Sequence, residues 1–185
     1  MKKRVAKHET DSISVSRPEL QVEGSDMAFR QLLYDIFSFA HHLQDARAKF
    51  AEFIGLSPSQ YMILIAISRH EQGDKGINEV AEHLHLSGAF VTIEVNRLVE
   101  RGYVAKDAHP TDRRRIRLRL TAEGFARLAS LAAFQRPVND ALFDGLSAAE
   151  FRALRQIMAK LERNGAGAVQ LANYLEQQMK AASEV

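Results

Sequence analysis

Residues 86–104 have the sequence LSGAFVTIEVNRLVERGYV, and the fold expected for the chain follows from this stretch. Ser87 is a frequent helix N-cap, and apolar residues follow it at three- and four-residue spacing, which predicts an amphipathic helix through about Arg101. Gly102 then ends the helix, and Tyr103 begins an extended segment. The residues predicted to lie on the buried side of this helix are Val91, Val95 and Leu98.

Two helices are predicted before this stretch. Ser57 as N-cap and Pro58 at the first helical position mark the start of one, which runs to about His70. Residues 77–85 form the other, because their apolar residues recur on one side. A tight break at residues 86–88 separates this short helix from the next one. Two helices joined by so short a turn form a helix-turn-helix, whose second helix fits the roughly 12 Å wide major groove of DNA.

A strand–turn–strand pattern follows the helix-turn-helix. Residues 103–107 form the first strand, and residues 109–112, with the sequence HPTD, have turn chemistry. Residues 115–120, with the sequence RIRLRL, alternate charged and apolar side chains, so that one face packs and the other carries three guanidinium groups. The sequence therefore predicts a mainly α fold with a small β-hairpin as a wing.

Helical segments are predicted on both sides of the winged unit. Residues 25–54 carry apolar side chains at helical spacing, whereas residues 1–24 have little periodicity and are expected to form a flexible arm, with exchange onto a partner subunit as the alternative. Thr121 caps a helix that continues to about Phe143 with one break near Pro137. A capping box opens the last helix, which is expected to be kinked or interrupted at residues 164–167.

Charge is concentrated in the winged unit. The net charge of the 185-residue chain is +2, but residues 101–127 contain eight Lys or Arg and three Asp or Glu, which gives +5 there and −3 elsewhere. A local basic stripe is typical of a polyanion-binding site, although a solvated charged strand has the same composition. The chain contains no cysteine, which excludes disulfides and thiolate chemistry.

Other function classes find little support in the sequence. No Gly-rich phosphate loop, serine-nucleophile motif or HExxH motif is present, so we do not expect an enzyme. No apolar run is long enough to cross a membrane, and the N-terminus lacks the apolar segment of a secretory signal, so we expect a cytoplasmic, nucleoid-associated protein without a membrane partner.

The run from Ser57 to Gly124 resembles the MarR family of transcription regulators. The resemblance implies a winged helix-turn-helix domain that binds a pseudo-palindromic double-stranded DNA operator as a homodimer, with the first and last helices as a dimerisation domain. The sequence segments that carry it are LSPSQY at 56–61, Val80-Ala81 with Leu84, Leu86-Ser87, Val91-Thr92, Val95, RLVERGYV at 97–104, DRRR at 112–115 and LTAEG at 120–124.

The resemblance also divides the chain and assigns residues to DNA. The divisions are an arm at 1–24, a dimerisation helix at 25–54, the winged helix-turn-helix domain at 55–124 and C-terminal dimerisation helices at 125–185. Arg114 is expected to enter the minor groove and Asp112 to hold it in place. Ile93 and Glu94 depart from the family pattern, which implies either that this helix is slightly rotated or that Ile93 contacts a thymine methyl group. The remaining residues assigned to DNA are Ser87, Ala89, Thr92, Asn96, Arg97, Arg113 and Arg115.

Relatives in this family commonly bind a small ligand beside the DNA-binding lobe. An aromatic and aliphatic wall with one cation suits a small aromatic carboxylate, a phenol or its acyl thioester as an effector that releases the DNA. The alternative is that the phenylalanines are core residues and that Arg47 extends to water. Adjacent or alternate histidines at 41–42 and 83–85 do not chelate easily, so we expect neither a metal nor another cofactor. The predicted pocket residues are Phe37, His41, Arg47, Phe50, Phe53, Tyr61 and Ile65.

Two other functions remain open from the sequence. A winged-helix module can bind protein and not DNA, although the arginine cluster argues against it. An architectural DNA binder without ligand control would bind all sequences with similar affinity.

Overall fold

The computed structural model describes residues 13–69, 76–108 and 116–183. These residues divide into two compact units, with the boundary between Val138 and Asn139. His70, the turn at 109–112 and the arginines at 113–115 lie outside the described residues.

Four helices open the first unit and agree with the sequence pattern to within about two residues at each end. Ser57 and Gln60 form a capping box at the start of the second helix, in which the Gln60 N–H donates to Ser57 Oγ over 3.2 Å. The structure therefore confirms the helix start predicted from Ser57 and Pro58. The helices are α1 (Met27–Phe53), α2 (Pro58–Ser68), α3 (Ile77–Leu84) and α4 (Gly88–Glu100).

The core of the first unit is built around α2. Six of its 11 residues are buried, and its apolar side chains pack against α1, α3 and α4. Phe50 of α1 contacts the Tyr61 ring edge-on, with 6.4 Å between centroids. Tyr61 is buried, and burial raises the pKa of its hydroxyl, which accepts a hydrogen bond from Gln135 Nε2 at 3.2 Å. The largest fully buried side chains are Phe50, Ile63, Leu64, Leu98, Leu131, Val80, Val91, Val95 and Val104.

The predicted wing is an antiparallel hairpin of β1 (Val104–Ala108) and β2 (Ile116–Leu120). Val104 pairs with Leu120, and Ala108 pairs with Ile116. Leu118 and Leu120 are buried, which confirms that one face of the alternating segment packs against the core. Ile116, at the far end of the hairpin, is exposed.

The helix expected from Thr121 to about Phe143 is two helices, α5 (Ala122–Ala129) and α6 (Ala132–Leu142). The break lies at residues 130–131 and not at Pro137, which is inside α6. Leu131, at the break, is 1% exposed. The chain bends where this side chain enters the core, whereas Pro137 removes only one backbone donor from its helix.

The first unit extends beyond residue 124, where the sequence suggested that the winged domain ends. Phe134 of α6 stacks on Phe53 with 4.8 Å between ring centroids and meets Phe50 edge-on at 5.8 Å. Val138 also packs against the core. Both α5 and the first part of α6 therefore belong to the winged-helix core.

Residues 13–24 have defined structure, in contrast to the expected flexible arm. Pro18–Leu20 form a 3₁₀ turn, and Val22 bridges to Ser25. The Ser14 hydroxyl and backbone N–H both donate to Asp26 Oδ2, at 2.5 and 2.6 Å. Arg30 adds an ion pair at 2.9 Å. Asp26 therefore anchors this segment, and its side chain does not cap α1.

The second unit, residues 139–183 as described, contains the end of α6 and the 36-residue helix α7 (Ala148–Ser183). Ser147 and Glu150 form the predicted capping box, with Glu150 N–H donating to Ser147 Oγ at 3.3 Å. The interruption predicted at residues 164–167 is wrong, because α7 is continuous through Gly165 and Gly167. No residue of α7 is buried.

Candidate nucleic-acid interface

The turn between α3 and α4 determines which side of α4 faces solvent. His85 ends α3 in the left-handed conformation, with φ of 53°. Ser87 then caps α4, and its Oγ accepts from Phe90 N–H at 3.2 Å. The buried side of α4 consists of Val91, Glu94, Val95 and Leu98. The opposite side is exposed along the whole helix and consists of Ala89, Phe90, Ile93, Asn96, Arg97 and Glu100.

The residues predicted to contact DNA from α4 do not all occupy that exposed side. Ala89, Asn96 and Arg97 lie on it, and Ser87 is exposed at its start. Thr92 is half-buried, and its hydroxyl donates to the Gly88 carbonyl at 2.7 Å. The structure therefore brings four of these five side chains to one surface and gives Thr92 a partner within its own helix.

A buried polar network connects α4 to α2. Glu94 is 4% exposed, and its carboxylate accepts from Gln60 Nε2 at 3.0 Å and from Arg97 Nη1 at 2.5 Å. A buried carboxylate requires such partners, because burying an ionised carboxylate without them costs far more free energy than burying a neutral polar group. The departure that the sequence showed at Glu94 is therefore accommodated without rotating α4 outward, and Glu94 orients the exposed Arg97.

Lys106 is a further cation at this surface, which the sequence places in the basic stripe at 101–127 without assigning it to DNA. Its Nζ donates to Asn96 Oδ1 at 2.5 Å, so that β1 and α4 present a cation and an amide side by side. In the sequence, its place in the predicted first strand at 103–107 was the signal that could have assigned it to this surface. This contact extends the exposed polar surface of α4 onto the hairpin.

Much of the positive charge at 101–127 has structural partners. Arg117 and Arg119 both face Asp107 across the hairpin, at 4.0 and 2.9 Å. Arg101 and Arg127 lie over the Tyr103 ring, with 5.2 and 5.4 Å to its centroid. The arginines of β2 therefore support the hairpin, which is the solvated-strand interpretation that the sequence left open. Asp112, Arg113, Arg114 and Arg115 lie outside the described residues.

A groove of about 550 Å³ lies between α1 and α2. Arg47 donates from Nη1 to Met62 Sδ at 3.2 Å, so one cation borders a mostly apolar wall. The groove is lined by Ala40, Leu43, Gln44, Asp45, Arg47, Ala48, Pro58 and Met62.

Only Arg47 among the predicted pocket residues lines this groove. Phe50 and Tyr61 are buried core residues, and Ile65 packs against the same core. Phe37 and Phe53 are exposed, at 73% and 58%. His41 is also exposed and lies 3.5 Å from Asp45. Phe50 and Tyr61 are therefore core residues, and packing accounts for their positions without a ligand.

Among residues 13–69, 76–108 and 116–183, no three His, Asp or Glu side chains come together as a metal site. Within these ranges no single helix is long and apolar enough to cross a membrane; α1 and α2 reach that length and composition only as a pair, bent by 91°.

A helix-turn-helix with an exposed second helix, followed by a two-stranded hairpin, defines a winged helix-turn-helix protein. Residues 54–115 match the sequence model of the MarR family. The chain is 24% identical over 140 residues to the transcriptional repressor MdtR of Bacillus subtilis (strain 168), covering 76% of this chain and 89% of that protein. Over residues 54–115 the chain is similar to the MarR family, and the curated relatives that it matches are transcriptional regulators.

Solved structures share the same fold. A MarR transcriptional regulator from Methanosarcina mazei Go1 superposes with a TM-score of 0.62 at 19% identity, covering 75% of this chain and 99% of that one. A mutant of MarR from E. coli complexed with operator DNA superposes with a TM-score of 0.58 at 20% identity, covering 71% and 93%. The winged-helix fold predicted from residues 86–104 is thereby confirmed.

Proposed function

We propose that the protein binds a pseudo-palindromic DNA operator as a homodimer, represses transcription there and is released by a small aromatic acid or its acyl thioester. The observation that carries the DNA-binding part is the solvent-exposed face of α4, which has Arg97 and the Asn96–Lys106 pair at its C-terminal half. Exposed Ser87 at its start suits a phosphate contact. Repression is proposed by analogy with MdtR, which is named a repressor. Such a protein works at the nucleoid.

Exposed apolar surface supports the homodimer. In α1, five large apolar side chains between residues 32 and 39 are between 39% and 73% exposed. Large contiguous apolar surfaces usually mark protein interfaces. We infer that a second copy of the chain covers them. The five are Leu32, Leu33, Tyr34, Phe37 and Phe39.

Helix α7 offers a second surface of the same kind, which we call the α7 seam. Apolar or small residues recur at alternating spacings of three and four along the whole helix, which is the pattern of a coiled-coil core. The α7 seam consists of Phe151, Leu154, Met158, Leu161, Gly165, Ala168, Ala172, Leu175, Met179 and Ala182.

The order of sizes in the α7 seam favours an antiparallel pairing of two copies. Centred between Gly165 and Ala168, such a pairing sets Phe151 opposite Ala182 and Leu161 opposite Ala172, while Leu154 and Met158 meet Met179 and Leu175. It also brings Arg155 near Glu176 of the other copy, which is an attractive pair. Small residues at the centre allow the helix backbones to approach closely.

The groove between α1 and α2 supports the proposed effector. Its wall is mostly apolar and includes Arg47, which suits an aromatic carboxylate, a phenolate or an acyl thioester, while Asp45 in the same wall requires that the anionic group bind on the Arg47 side. A ligand there would contact α2, and the hydrogen bond between Gln60 of α2 and Glu94 of α4 connects that helix to α4. Release of DNA requires that the ligand bind more tightly to a conformation unsuited to the operator.

The test is binding to the intergenic region upstream of the protein's own gene at fixed salt, with a panel of aromatic acids and their thioesters added. Specific binding that one compound relieves supports the whole proposal. Arg114→Ala is expected to weaken binding strongly and to leave the dimer intact, whereas Arg163→Ala, an exposed arginine in α7, is expected to have no effect.

The other outcomes separate the parts of the proposal. Specific binding that no compound changes retains the operator function and rejects the effector. Equal affinity for all sequences indicates an architectural DNA binder. A folded dimer without salt-dependent DNA binding indicates a module that binds protein.

A further inference from the structure

The N-terminal half of α4 presents carbon rather than polar groups to solvent. Phe90 is 38% exposed and Ile93 is 51% exposed, and the two lie one turn apart on the same face. Ala89 beside them is also exposed. The C-terminal half of the same face is polar, with Asn96 and Arg97.

The polar side chains of this half have hydrogen-bonding roles inside the protein. Ser87 Oγ accepts from the Phe90 N–H at the start of the helix, at 3.2 Å. The Thr92 hydroxyl donates its proton to the Gly88 carbonyl at 2.7 Å. The groups that this part of α4 offers to a base edge are therefore mainly the methyl, methylene and ring carbons of Ala89, Phe90 and Ile93.

In the major groove, the apolar group that distinguishes one base pair from another is the C5-methyl of thymine. We propose that Ile93 and Phe90 contact thymine C5-methyl groups and that the operator half-site is specified by thymines at those positions. This inference rests on the proposed DNA-binding function. The polar half, with Arg97 and Lys106, supplies phosphate and hydrogen-bond contacts that hold the helix in register.

Charge on the two halves is consistent with this division. Arg97 is held by Glu94, and Lys106 is held against Asn96, so both cations lie at the C-terminal half of the exposed face. A partner protein that used Phe90 and Ile93 would need no such flanking cations. A duplex has phosphates on both sides of the groove that receives the apolar residues.

The experiment replaces thymidine by deoxyuridine, one position at a time, in the operator identified by the binding assay described above. Each replacement removes one methyl group and keeps the Watson–Crick hydrogen bonds. We expect one or two positions in each half-site at which affinity falls about fourfold, the value for one buried methyl group. Deoxyuridine at the other thymidines is expected to leave affinity unchanged.

Protein variants assign each methyl group to a side chain. Ile93→Ala is expected to weaken binding to the thymidine operator and to show no further loss with deoxyuridine at its position. Phe90→Ala is likewise expected to weaken binding to the thymidine operator and to show no further loss with deoxyuridine at the neighbouring position. In Lys106→Ala, the matched control, binding weakens while the fourfold loss on deoxyuridine substitution persists. Unchanged melting temperatures show that the exposed-site variants are folded.

The outcomes distinguish failure of the thymine contact from failure of the proposed DNA-binding function. Specific binding that no deoxyuridine changes, or a fourfold loss that persists in both alanine variants, overturns the thymine contact and leaves the regulator function standing. Absence of any specific DNA binding overturns the proposed function, and the thymine contact with it. Operator affinity that is insensitive to both alanine variants also overturns the thymine contact, because Phe90 and Ile93 then contribute nothing to operator binding.

Discussion

Helices α2 and α7 are both rich in apolar residues, but the chain uses them differently. In α2, six of 11 residues are buried, and the helix is surrounded by α1, α3, α4 and β2. In α7, none of 36 residues is buried, although six of its large apolar side chains recur at coiled-coil spacing. The apolar side chains of α2 are buried within the chain, whereas those of α7 stay accessible to solvent.

The difference shows two ways in which hydrophobic free energy is used. Burying α2 stabilises the fold of a single chain, and this determines the orientation of α4, which packs on it. The apolar side chains of α7 contribute little until another surface covers them. We therefore expect substitutions around α2 to change folding and substitutions in the α7 seam to change association.

The largest effect is expected for Gly124→Ala in the winged-helix core. A Cβ at this position would lie 2.2 Å from the Tyr103 carbonyl oxygen, which is a backbone atom and has little freedom to move. We expect a loss of about 3 kcal/mol or more in the free energy of unfolding, measured by urea denaturation. An unchanged denaturation midpoint would show that α5 does not approach the hairpin this closely.

A smaller effect, on association, is expected for Gly165→Ala in the α7 seam. Neither Gly165 nor Gly167 has an atom within 4 Å of its would-be Cβ, so alanine at either position should favour the helix by up to about 1 kcal/mol. Gly165 lies in the α7 seam, where an added methyl group keeps two copies apart, and we expect dimer dissociation to become about tenfold easier. Gly167 lies outside the seam and is the matched control.

Analytical ultracentrifugation measures both dissociation constants. Equal constants for the two variants would contradict a seam centred near Gly165. Tighter association in both variants would show that helix propensity, and not close approach, limits the dimer.

The smallest effect is expected at the edge of the first unit, where Asp26 anchors residues 13–24. Hydrogen bonds from the Ser14 hydroxyl and backbone, and then the Arg30 guanidinium, hold the pKa of Asp26 at about 2, below its usual 3.8. A lowered folded-state pKa stabilises the protein above pH 3.8, and this contribution is lost as the pH falls towards 2. Asp26→Asn should therefore lower Tm at pH 7, with a difference from the unsubstituted protein that disappears near pH 2.

Thermal scans between pH 7 and pH 2 check this pH dependence, and Ser14→Ala should reproduce part of it. A Tm difference of the same size at every pH would mean that the Asp26 charge is not responsible. Gly124→Ala and Gly165→Ala, which change no ionisable group, should show no comparable pH dependence of Tm in this range.

Local signals allowed much of the candidate site to be predicted. Ser57, Ser87 and Thr121 were recognised as caps because each precedes a run of apolar residues at helical spacing, and all three accept the expected backbone hydrogen bond. The exposure of Ala89, Asn96 and Arg97 follows from the same periodicity. The partners of Thr92 and Glu94 are not visible in a sequence pattern, because one depends on a rotamer and the other on a residue 34 positions away.

The sequence by itself determined the order of elements, the helix-turn-helix and the strand alternation, because caps, glycine stops and hydrophobic period act within a few residues. Tertiary structure decided where the long C-terminal helical segment breaks, since burial of Leu131 outweighs the local effect of Pro137. It also decided that residues 13–24 bind Asp26 and that Phe50 and Tyr61 are core residues. Each of these outcomes depends on contacts between distant residues, whose energies exceed the local preferences that a sequence displays.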